Sequence, residues 1–311
     1  MARIPLILLI GIAVACSPNN QPKDVVKLIT HSSPGGGSDV FLREMAPHLS
    51  KIMGATFVVE NLQGGSGAKA MAALGGAKPD GAMLYATTPT FIYTSLLSKP
   101  SVSYRDLEPL VNLFFDPEVL YTASDSRFKT FEDVIHHARQ GGGKWGAANP
   151  ASLERQTLER LKQKAMATPV VITFEGGGDM LINVLNHTLD MGIGELQEIR
   201  AQLDAGTIRL LAVVGDDRLS LFHDLKTVKE HGIDLSVRKF RGLAAPRGTP
   251  PEVIAKWDAA IPSLLEDPEY KRLYLANSLQ PGFIAHAEYV RFMSEFGTDT
   301  ETFLRESGVI K

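Results

Sequence analysis

The sequence of 311 residues has one cysteine, no marked excess of either charge sign, and no long apolar run after its N-terminal segment. A single cysteine excludes a scaffold held together by disulfide bonds within the chain. The 32 Lys and Arg residues nearly balance the 35 Asp and Glu residues, which argues against the basic surface of a nucleic-acid-binding protein. Apolar residues make up 44% of the chain and charged residues 22%, so we expect a folded globular protein. The length indicates about two domains.

The N-terminus has the layout of a secretory signal. One positive charge precedes an apolar run that ends at Ala15 and is too short to span a bilayer permanently. Small residues precede Cys16, as in the lipobox of bacterial lipoproteins, although Ala13 stands where Leu is usual. We therefore predict a signal peptide over residues 1–15, lipidation of Cys16 and a polar tether over residues 16–23. This places the protein in the periplasm or at the outer cell surface, with the lipid as its only contact with a membrane. Ordinary signal cleavage near Ala15 is the alternative.

Short β-rich runs, each followed by a turn of small residues and a helical pattern, recur along the rest of the chain. The first of these runs are Val25–Thr30, Thr56–Glu60 and Met83–Ala86. Such repetition is typical of parallel α/β architecture, and it resumes after an extended segment that crosses near Leu120. We predict two lobes, each with a mostly parallel sheet flanked by helices. Lobe 1 is predicted over residues 24–120 and 239–311, and lobe 2 over residues 121–238.

Five turns between a predicted strand and a helix are rich in Gly, Ser, Thr or Asn. A helix start leaves backbone N–H groups unpaired and carries partial positive charge, and glycine lets a ligand approach those groups closely. In a parallel sheet these turns lie along the carboxyl edge of the strands, where open α/β proteins bind ligands. A small carboxylate or phosphate is the natural ligand, although such turns also serve only to reverse the chain. The turns are Ser33–Ser38, Asn61–Gly67, Thr87–Thr90, Asn149–Ser152 and Glu175–Gly178.

Motifs for cofactors, metals and catalysis are incomplete. Gly65–Ala70 loosely matches a dinucleotide-binding turn, but the acidic residue expected about 20 positions later is missing. Gly141–Lys144 is not followed by the Ser or Thr of a P-loop, and His136 and His137 are adjacent rather than spaced along one helix face. We therefore expect no cofactor, no metal and no enzymatic activity. An α/β enzyme that acts on an organic acid remains the alternative.

Several landmarks along the chain together form the pattern of a known family. They are Ser33–Val40, Val59–Asn61 with Gly64–Gly67, Lys78–Gly81 with Thr88 and Pro89, Leu210–Val213, and Ala245–Pro250. This pattern resembles the substrate-binding proteins of tripartite tricarboxylate transporters, also called the Bug family of periplasmic solute receptors. The resemblance implies a two-lobed α/β periplasmic-binding-protein fold, type II-like, with two crossing strands as the hinge. It also implies capture of a small organic carboxylate in the inter-lobe cleft and delivery to a two-component membrane permease.

The second half of the chain departs from the family pattern. Ala148–Arg155 lacks the glycines and the histidine that are usual there, and Glu175 stands where the family has a lysine. Glu195 represents the acidic residue that usually precedes the next helix. We therefore predict a ligand with a carboxylate at one end and a neutral or cationic group, as in an amino acid, at the other. Glu175 and Glu195 are predicted to set this specificity.

The carboxylate is predicted to lie against the amides of Gly36 and Gly37 and the hydroxyl of Ser38. Hinge closure at the crossings near Leu120 and Arg238 would then enclose it. The predicted ligand-binding residues are Ser33, Gly35, Gly36, Gly37, Ser38, Asp39, Asn61, Gly64, Ser66, Thr88, Pro89, Asn149, Ser152, Glu175, Gly176 and Glu195. We expect a monomer. The alternative function from the residues is a ligand sensor that presents its closed form to a membrane kinase.

Overall fold

The computed structural model describes residues 24–311, so the predicted signal peptide, Cys16 and the tether lie outside the described residues. Within that range no helix is both long enough and apolar enough to cross a membrane. The strands are β1 (Val25–Thr30), β2 (Thr56–Asn61), β3 (Met83–Thr87), β4 (Leu107–Asp116), β5 (Glu118–Ala123), β6 (Lys144–Ala148), β7 (Val170–Phe174), β8 (Met191–Glu195), β9 (Ile208–Val214), β10 (Lys239–Pro246) and β11 (Gln280–Ile284). The helices are α1 (Gly37–Met53), α2 (Ala68–Gly75), α3 (Pro89–Leu97), α4 (Phe131–Arg139), α5 (Leu153–Ala165), α6 (Gly177–Leu185), α7 (Leu196–Asp204), α8 (Pro251–Leu265), α9 (Pro268–Ala276) and α10 (His286–Glu306).

The strands form two separate sheets, each of which is the centre of one lobe. The first sheet has the order β11-β4-β10-β3-β1-β2, and the second has the order β7-β6-β8-β5-β9. β2, β1 and β3 are parallel neighbours, as are β7, β6 and β8. The prediction of a two-lobed α/β fold is confirmed.

Both sheets are mixed, which differs from the prediction of mostly parallel sheets. β10 runs antiparallel to β3 and β4, and β5 runs antiparallel to β8 and β9. The reason is the direction in which the chain passes from one lobe to the other. A strand that leaves its lobe toward the cleft runs with the βα repeats, whereas a strand that enters from the cleft must run against them. β11, which the sequence analysis does not predict, adds an antiparallel edge strand beside β4.

The two crossings between the lobes are very different in length. β4 belongs to the first sheet and β5 to the second, and only Pro117 separates them. The return path runs from β9 through residues 215–238 to β10 in the first sheet. Strand ends at both crossings therefore face the space between the lobes.

Apolar clusters cover both faces of each sheet. In the first lobe α1, α8 and α9 pack on one face, while α2, α3 and α10 pack on the other. Phe41, Met45 and Leu49 repeat at helical spacing on α1 and are fully buried. Burial of each such side chain contributes roughly 1.5–3 kcal/mol. This packing fixes the axis of α1, so its N-terminus points into the cleft.

Candidate functional site

Helix starts from both lobes converge on a small cavity of about 20 Å³. This is the volume of about one water molecule, so the structure represents a closed form of the two lobes. The residues that line it from the first lobe are His31, Ser32, Gly37, Ser38, Thr88, Thr90 and Lys239. The residues that line it from the second lobe are Ala148, Asn149, Glu154, Gly177, Glu195 and Glu198.

Three polar side-chain atoms of the cavity lining have no hydrogen-bond partner among the described residues. One is Oε2 of Glu154, and the other two are the hydroxyl Oγ1 of Thr88, at the start of α3, and the side-chain carbonyl Oδ1 of Asn149, in the turn after β6. Thr88 is 2% exposed and Asn149 is 6% exposed. Leaving a buried polar group unpaired costs about 1–3 kcal/mol, and such groups are rare in folded proteins. A ligand that donates to Asn149 and bonds to Thr88 would remove both costs.

The N-terminus of α1 is occupied by a carboxyl group from the other lobe. The N–H of Gly37 donates to Oε1 of Glu198 at 2.6 Å. Glu198 lies in the first turn of α7 and also contacts the backbone of Gly177 and Gly194. An anionic or hydrogen-bond-accepting group at a helix start satisfies an unpaired amide and the positive end of the helix dipole. The amide that the sequence assigns to a ligand carboxylate therefore already holds a carboxyl group of the protein.

The ammonium group of Lys239, at the first position of β10, lies among three buried carboxyl groups. Its Nζ is 3.0 Å from Oε1 of Glu118, and it is closer still to carboxylate oxygens of Glu154 and Glu195. Lys239 is 3% exposed. The three carboxyl groups lie close enough together to hold a metal ion, and the ammonium fills the position that such a cation would take.

Arg241 forms the second buried cation, two residues further along β10. Its guanidinium Nε donates to Oδ2 of Asp116 at 3.0 Å, and Nη2 contacts the same carboxylate more closely. Nη2 also donates to Oε1 of Glu195 at 3.1 Å, and Nη1 donates to the hydroxyl of Ser38 at 3.2 Å. Arg241 thus connects the first turn of α1 to the end of β8 across the cleft.

Acidic groups outnumber basic groups in this cluster, and burial and neighbouring charges shift the pKa values of the acids. Burial raises the pKa of Asp116 to about 6, and burial also raises the pKa of Glu118 well above its usual value. Burial and the neighbouring Glu195 charge raise the pKa of Glu198. Burial alone would raise the pKa of Glu195 too, but Lys239 and Arg241 outweigh it and lower that pKa. Glu195 is therefore the firmly ionised member, whereas Glu118 and Glu198 favour the neutral acid.

His31 closes the first-lobe side of the cavity in its neutral form. Its Nδ1 is 2.7 Å from the hydroxyl of Tyr85. Burial, together with the positive charges of Lys239 and Arg241, lowers the pKa of His31 to about 4. The imidazole is uncharged at neutral pH and does not add to the positive charge of the site.

The comparisons with known proteins agree with this geometry. The family model for the tripartite tricarboxylate transporter family receptor matches residues 41–309. The chain belongs to this receptor family. A Cupriavidus necator relative described as a UPF0065 protein in the gbd 5' region is 26% identical over 295 residues, which covers 93% of this chain and 89% of that protein. The family resemblance inferred from the sequence is confirmed.

Solved structures of similar receptors confirm the fold. An R. palustris protein determined with adipate superposes with a TM-score of 0.86 at 23% identity, over 93% of this chain and 99% of that chain. The periplasmic binding protein BugD superposes with a TM-score of 0.85 at 20% identity, over 93% of this chain and 99% of that chain. At these identities the likeness extends to the two-lobed architecture.

Some residues of the first loop of this receptor form hydrogen bonds within the first lobe and do not face the cavity. Asp39 accepts hydrogen bonds from the N–H of Gly35, from Nε of Arg43 and from Nδ2 of Asn61, each at 2.9 Å. Burial would raise the pKa of Asp39, but these hydrogen bonds outweigh it and lower the pKa. Asn61 also donates to the carbonyl of Ser32 at 3.0 Å. Asp39, Gly35 and Asn61 thus position the α1 amides without lining the cavity.

Other predicted residues lie where the two lobes touch. The hydroxyl of Ser66 accepts from the N–H of Ala151 at 3.2 Å, across the lobes. A Cβ added to Gly176 would lie 2.7 Å from Cβ of Ser33, so these two residues mark a close inter-lobe contact. The buried hydroxyl of Ser33 has no hydrogen-bond partner among the described residues.

The remaining predicted residues do not line the cavity. The hydroxyl of Ser152 caps α5, accepting from the N–H of Arg155 at 3.0 Å and donating to the carbonyl of Ala148 at 2.6 Å. Pro89 is the first residue of α3, and Gly64 lies in the loop after β2. Glu175 is exposed at the end of β7, because the chain turns outward before α6 begins. Of the two acids predicted to set specificity, only Glu195 faces the cavity.

Sequence reasoning missed most of the charge cluster. Asp116, Glu118, Lys239 and Arg241 lie near the predicted crossings but were given no role, and Glu154 was noted only within the altered segment Ala148–Arg155. The available signal was alternation, because residues two apart on a strand share a face. Lys239 and Arg241 interrupt an otherwise apolar strand at such a spacing, which indicates a shared polar face. Glu198 is not among the predicted ligand-binding residues.

Proposed function

We propose that this receptor closes its two lobes on a small organic carboxylate and delivers the loaded form to a two-component membrane permease. The observation that supports this most is the hydroxyl of Thr88, a possible donor that lines the same inter-lobe cavity as the start of α1 and has no hydrogen-bond partner among the described residues. A helix N-terminus with adjacent hydroxyl groups suits a carboxylate. The similar R. palustris protein that was determined with adipate supports the same ligand class.

The second proposal concerns the far end of the ligand, which we infer to carry an ammonium or amide group, as in an amino acid. Oε2 of Glu154 and Oε2 of Glu118 lack hydrogen-bond partners among the described residues. These oxygens, with Glu195, give the second-lobe side of the cleft an excess of acceptors. A hydrogen-bond donor would be stabilised there, whereas a second carboxylate would meet buried acids.

Binding is proposed to proceed through hinge closure. The closed cavity has room for about one water molecule, so a ligand of several heavy atoms enters an open form and displaces side chains as the lobes close. Pro117 and residues 215–238 connect the lobes, close to the hinge positions predicted at Leu120 and Arg238. The ligand drives closure to the extent that it binds the closed form more tightly. We retain lobe boundaries of 24–120 with 239–311, and 121–238, as part of this proposal.

The proposal includes export, with a signal peptide over residues 1–15, and a lipid on Cys16 that holds a monomeric receptor at the membrane surface. Acyl-chain analysis of the mature N-terminus by mass spectrometry, compared with a Cys16→Ser variant, tests the anchor. Loss of the lipid mass only in the variant is the expected result. An unmodified Cys16 in the wild type would contradict it.

The ligand is tested with a chain that starts after Cys16 and is refolded to remove bound molecules. Thermal shifts are measured with mono-, di- and tricarboxylates and with amino acids, and hits are titrated by calorimetry. At least one carboxylate is expected to stabilise the protein by mass action. If no carboxylate does, the proposed function is wrong. Tight binding of tricarboxylates alone would refute the proposal for the far end of the ligand.

Thr88→Val sharpens this test because valine has nearly the same shape as threonine. Loss of one hydrogen bond to a charged ligand is expected to weaken binding about tenfold or more. Stability without ligand should not fall, because the hydroxyl has no hydrogen-bond partner among the described residues. Thr298→Val, on the exposed side of α10, is the control. Equal affinity in wild type and Thr88→Val would exclude Thr88 from the site.

A further inference from the structure

The carboxyl group of Glu198 occupies the position that a ligand carboxylate is proposed to take. It accepts the 2.6 Å hydrogen bond from the Gly37 amide at the start of α1. A Cβ on Gly177 would lie 2.6 Å from Cδ of Glu198, and one on Gly194 would lie 2.6 Å from Oε2. Glycine backbones therefore form a close-fitting recess around this carboxyl group.

This contact exists only when the lobes are together. Gly37 belongs to the first lobe, whereas Glu198, Gly177 and Gly194 belong to the second. The side chain reaches from α7 to the first amide of α1, and opening the cleft would break the hydrogen bond. Glu198 thus stabilises the empty closed form in the way that a bound carboxylate would stabilise the loaded form.

We propose that Glu198 is an internal competitor: its carboxyl group holds the empty receptor closed, and a ligand carboxylate must displace it from the α1 amides. This inference rests on the proposed function, since it concerns the same anion site. It makes Glu198 a determinant of apparent affinity. A ligand that lacks a carboxylate cannot replace the contact with Gly37 and gains nothing from displacing Glu198.

The groups that face Glu198 suggest that it competes as a neutral acid. They are Glu195 at the end of β8, Lys239 and Arg241 on β10, and Tyr121 on β5, with His31 on the first-lobe side. Glu198 and Glu195 share a hydrogen bond, and Glu195 is the ionised partner. One oxygen of a protonated Glu198 accepts from Gly37 while its O–H donates to Glu195.

The closed form raises the pKa of Glu198 through burial and the charge of Glu195, and a Glu198 displaced by a ligand would lose these causes. Acid should favour the empty closed form and weaken ligand binding. His31 titrates in the opposite sense, because the closed form lowers its pKa to about 4. The contribution of Glu198 is consequently measured as the difference between the wild type and Glu198→Gln, in which His31 is unchanged.

The first experiment needs no ligand. Small-angle X-ray scattering of ligand-free wild type, Glu198→Ala, Glu198→Gln and Glu295→Ala compares the open and closed populations. Glu198→Ala should be more open than the wild type, whereas Glu198→Gln should stay closed, because its amide keeps both hydrogen bonds. Glu295 is exposed on α10 and its variant should match the wild type. Equal scattering of wild type and Glu198→Ala would overturn the proposal.

The second experiment titrates the same proteins with adipate and with L-glutamate at pH 8 and pH 6. If nine-tenths of the empty wild type is self-closed, Glu198→Ala should bind about tenfold more tightly. Wild-type affinity should fall more than that of Glu198→Gln between pH 8 and pH 6. Weaker binding by Glu198→Ala would make Glu198 a ligand contact and overturn the competitor role. If neither probe binds any protein, the ligand class fails, and the ligand-free scattering still decides the role of Glu198.

Discussion

Replacing Lys239 with methionine should strongly destabilise the closed protein. The side chain is 3% exposed, and its ammonium touches Glu118, Glu154 and Glu195. Methionine fills a similar volume but leaves three buried carboxyl groups facing one another. Breaking a buried ion pair by removing one partner costs about 3–5 kcal/mol.

The loss of stability in Lys239→Met should depend on pH, because the variant can relieve the repulsion among the three carboxylates by keeping a proton on one of them. Protonating one glutamate of ordinary pKa about 4.3 costs roughly 5 kcal/mol at pH 8 but only about 1.6 kcal/mol at pH 5.5. The folded variant then binds more protons than the unfolded chain, so its stability falls as pH rises. We expect a loss of about 3–5 kcal/mol at pH 8 and of about 1–2 kcal/mol at pH 5.5.

Urea denaturation followed by circular dichroism at the two pH values measures this loss. Lys51→Met is the matched control, because Lys51 pairs with Glu269 at 2.8 Å on the surface, where both side chains are more than 60% exposed. Such a pair contributes about 0–1 kcal/mol. A loss in Lys239→Met no larger than in Lys51→Met, or one independent of pH, would refute the account of the charge cluster.

Two further predictions concern closure and the histidine. Gly176→Ala should weaken ligand binding more than tenfold, because its extended backbone accepts alanine but the added Cβ would meet Ser33 across the closed lobes. Gly76→Ala is the calorimetric control, because a Cβ there has ordinary contacts, and undiminished affinity in Gly176→Ala would contradict this inter-lobe contact. In NMR spectra of the closed form, the carbon-bound ring protons of His31 should titrate near pH 4. The free energy of unfolding should fall as the pH drops from about 6.5 to 4, because the unfolded chain binds a proton that the folded chain does not. Titration near pH 6.5 would show that the imidazole is not buried as the structure has it.

The sequence predicted the repeating part of the fold well. β1, α1, β2 and β3 were each indicated by a β-rich run, a glycine turn and helical spacing, because these signals are local. The antiparallel strands β5, β10 and β11 were harder to place, since their pairing depends on which lobe the chain enters and from which side. Apolar composition alone carries no information about that direction.

The same distinction between local sequence signals and tertiary packing applies to the residues of the candidate site. Turns such as the one before α1 and the one before α3 were found because glycine, serine and threonine at a helix start have a local meaning. The exposed position of Glu175 could not be predicted, because its direction is set by where α6 packs. Ser152 and Asp39 were read as ligand contacts, whereas their side chains cap a helix and brace a loop. From sequence, a polar side chain that stabilises a turn looks the same as one that binds a ligand.

The charge cluster follows from the connection between the lobes. A strand that enters a lobe from the cleft must expose its first residues to the cleft, and alternate residues then share the face that lines it. Lys239 and Arg241 occupy these positions on β10, and Asp116 and Glu118 flank the shorter crossing at Pro117. Of these residues, Lys239 lines the cavity and pairs with Glu118, while Arg241 pairs with Asp116. We expect a ligand that changes the charge of the cavity to change these ion pairs as well, which would couple binding to closure electrostatically.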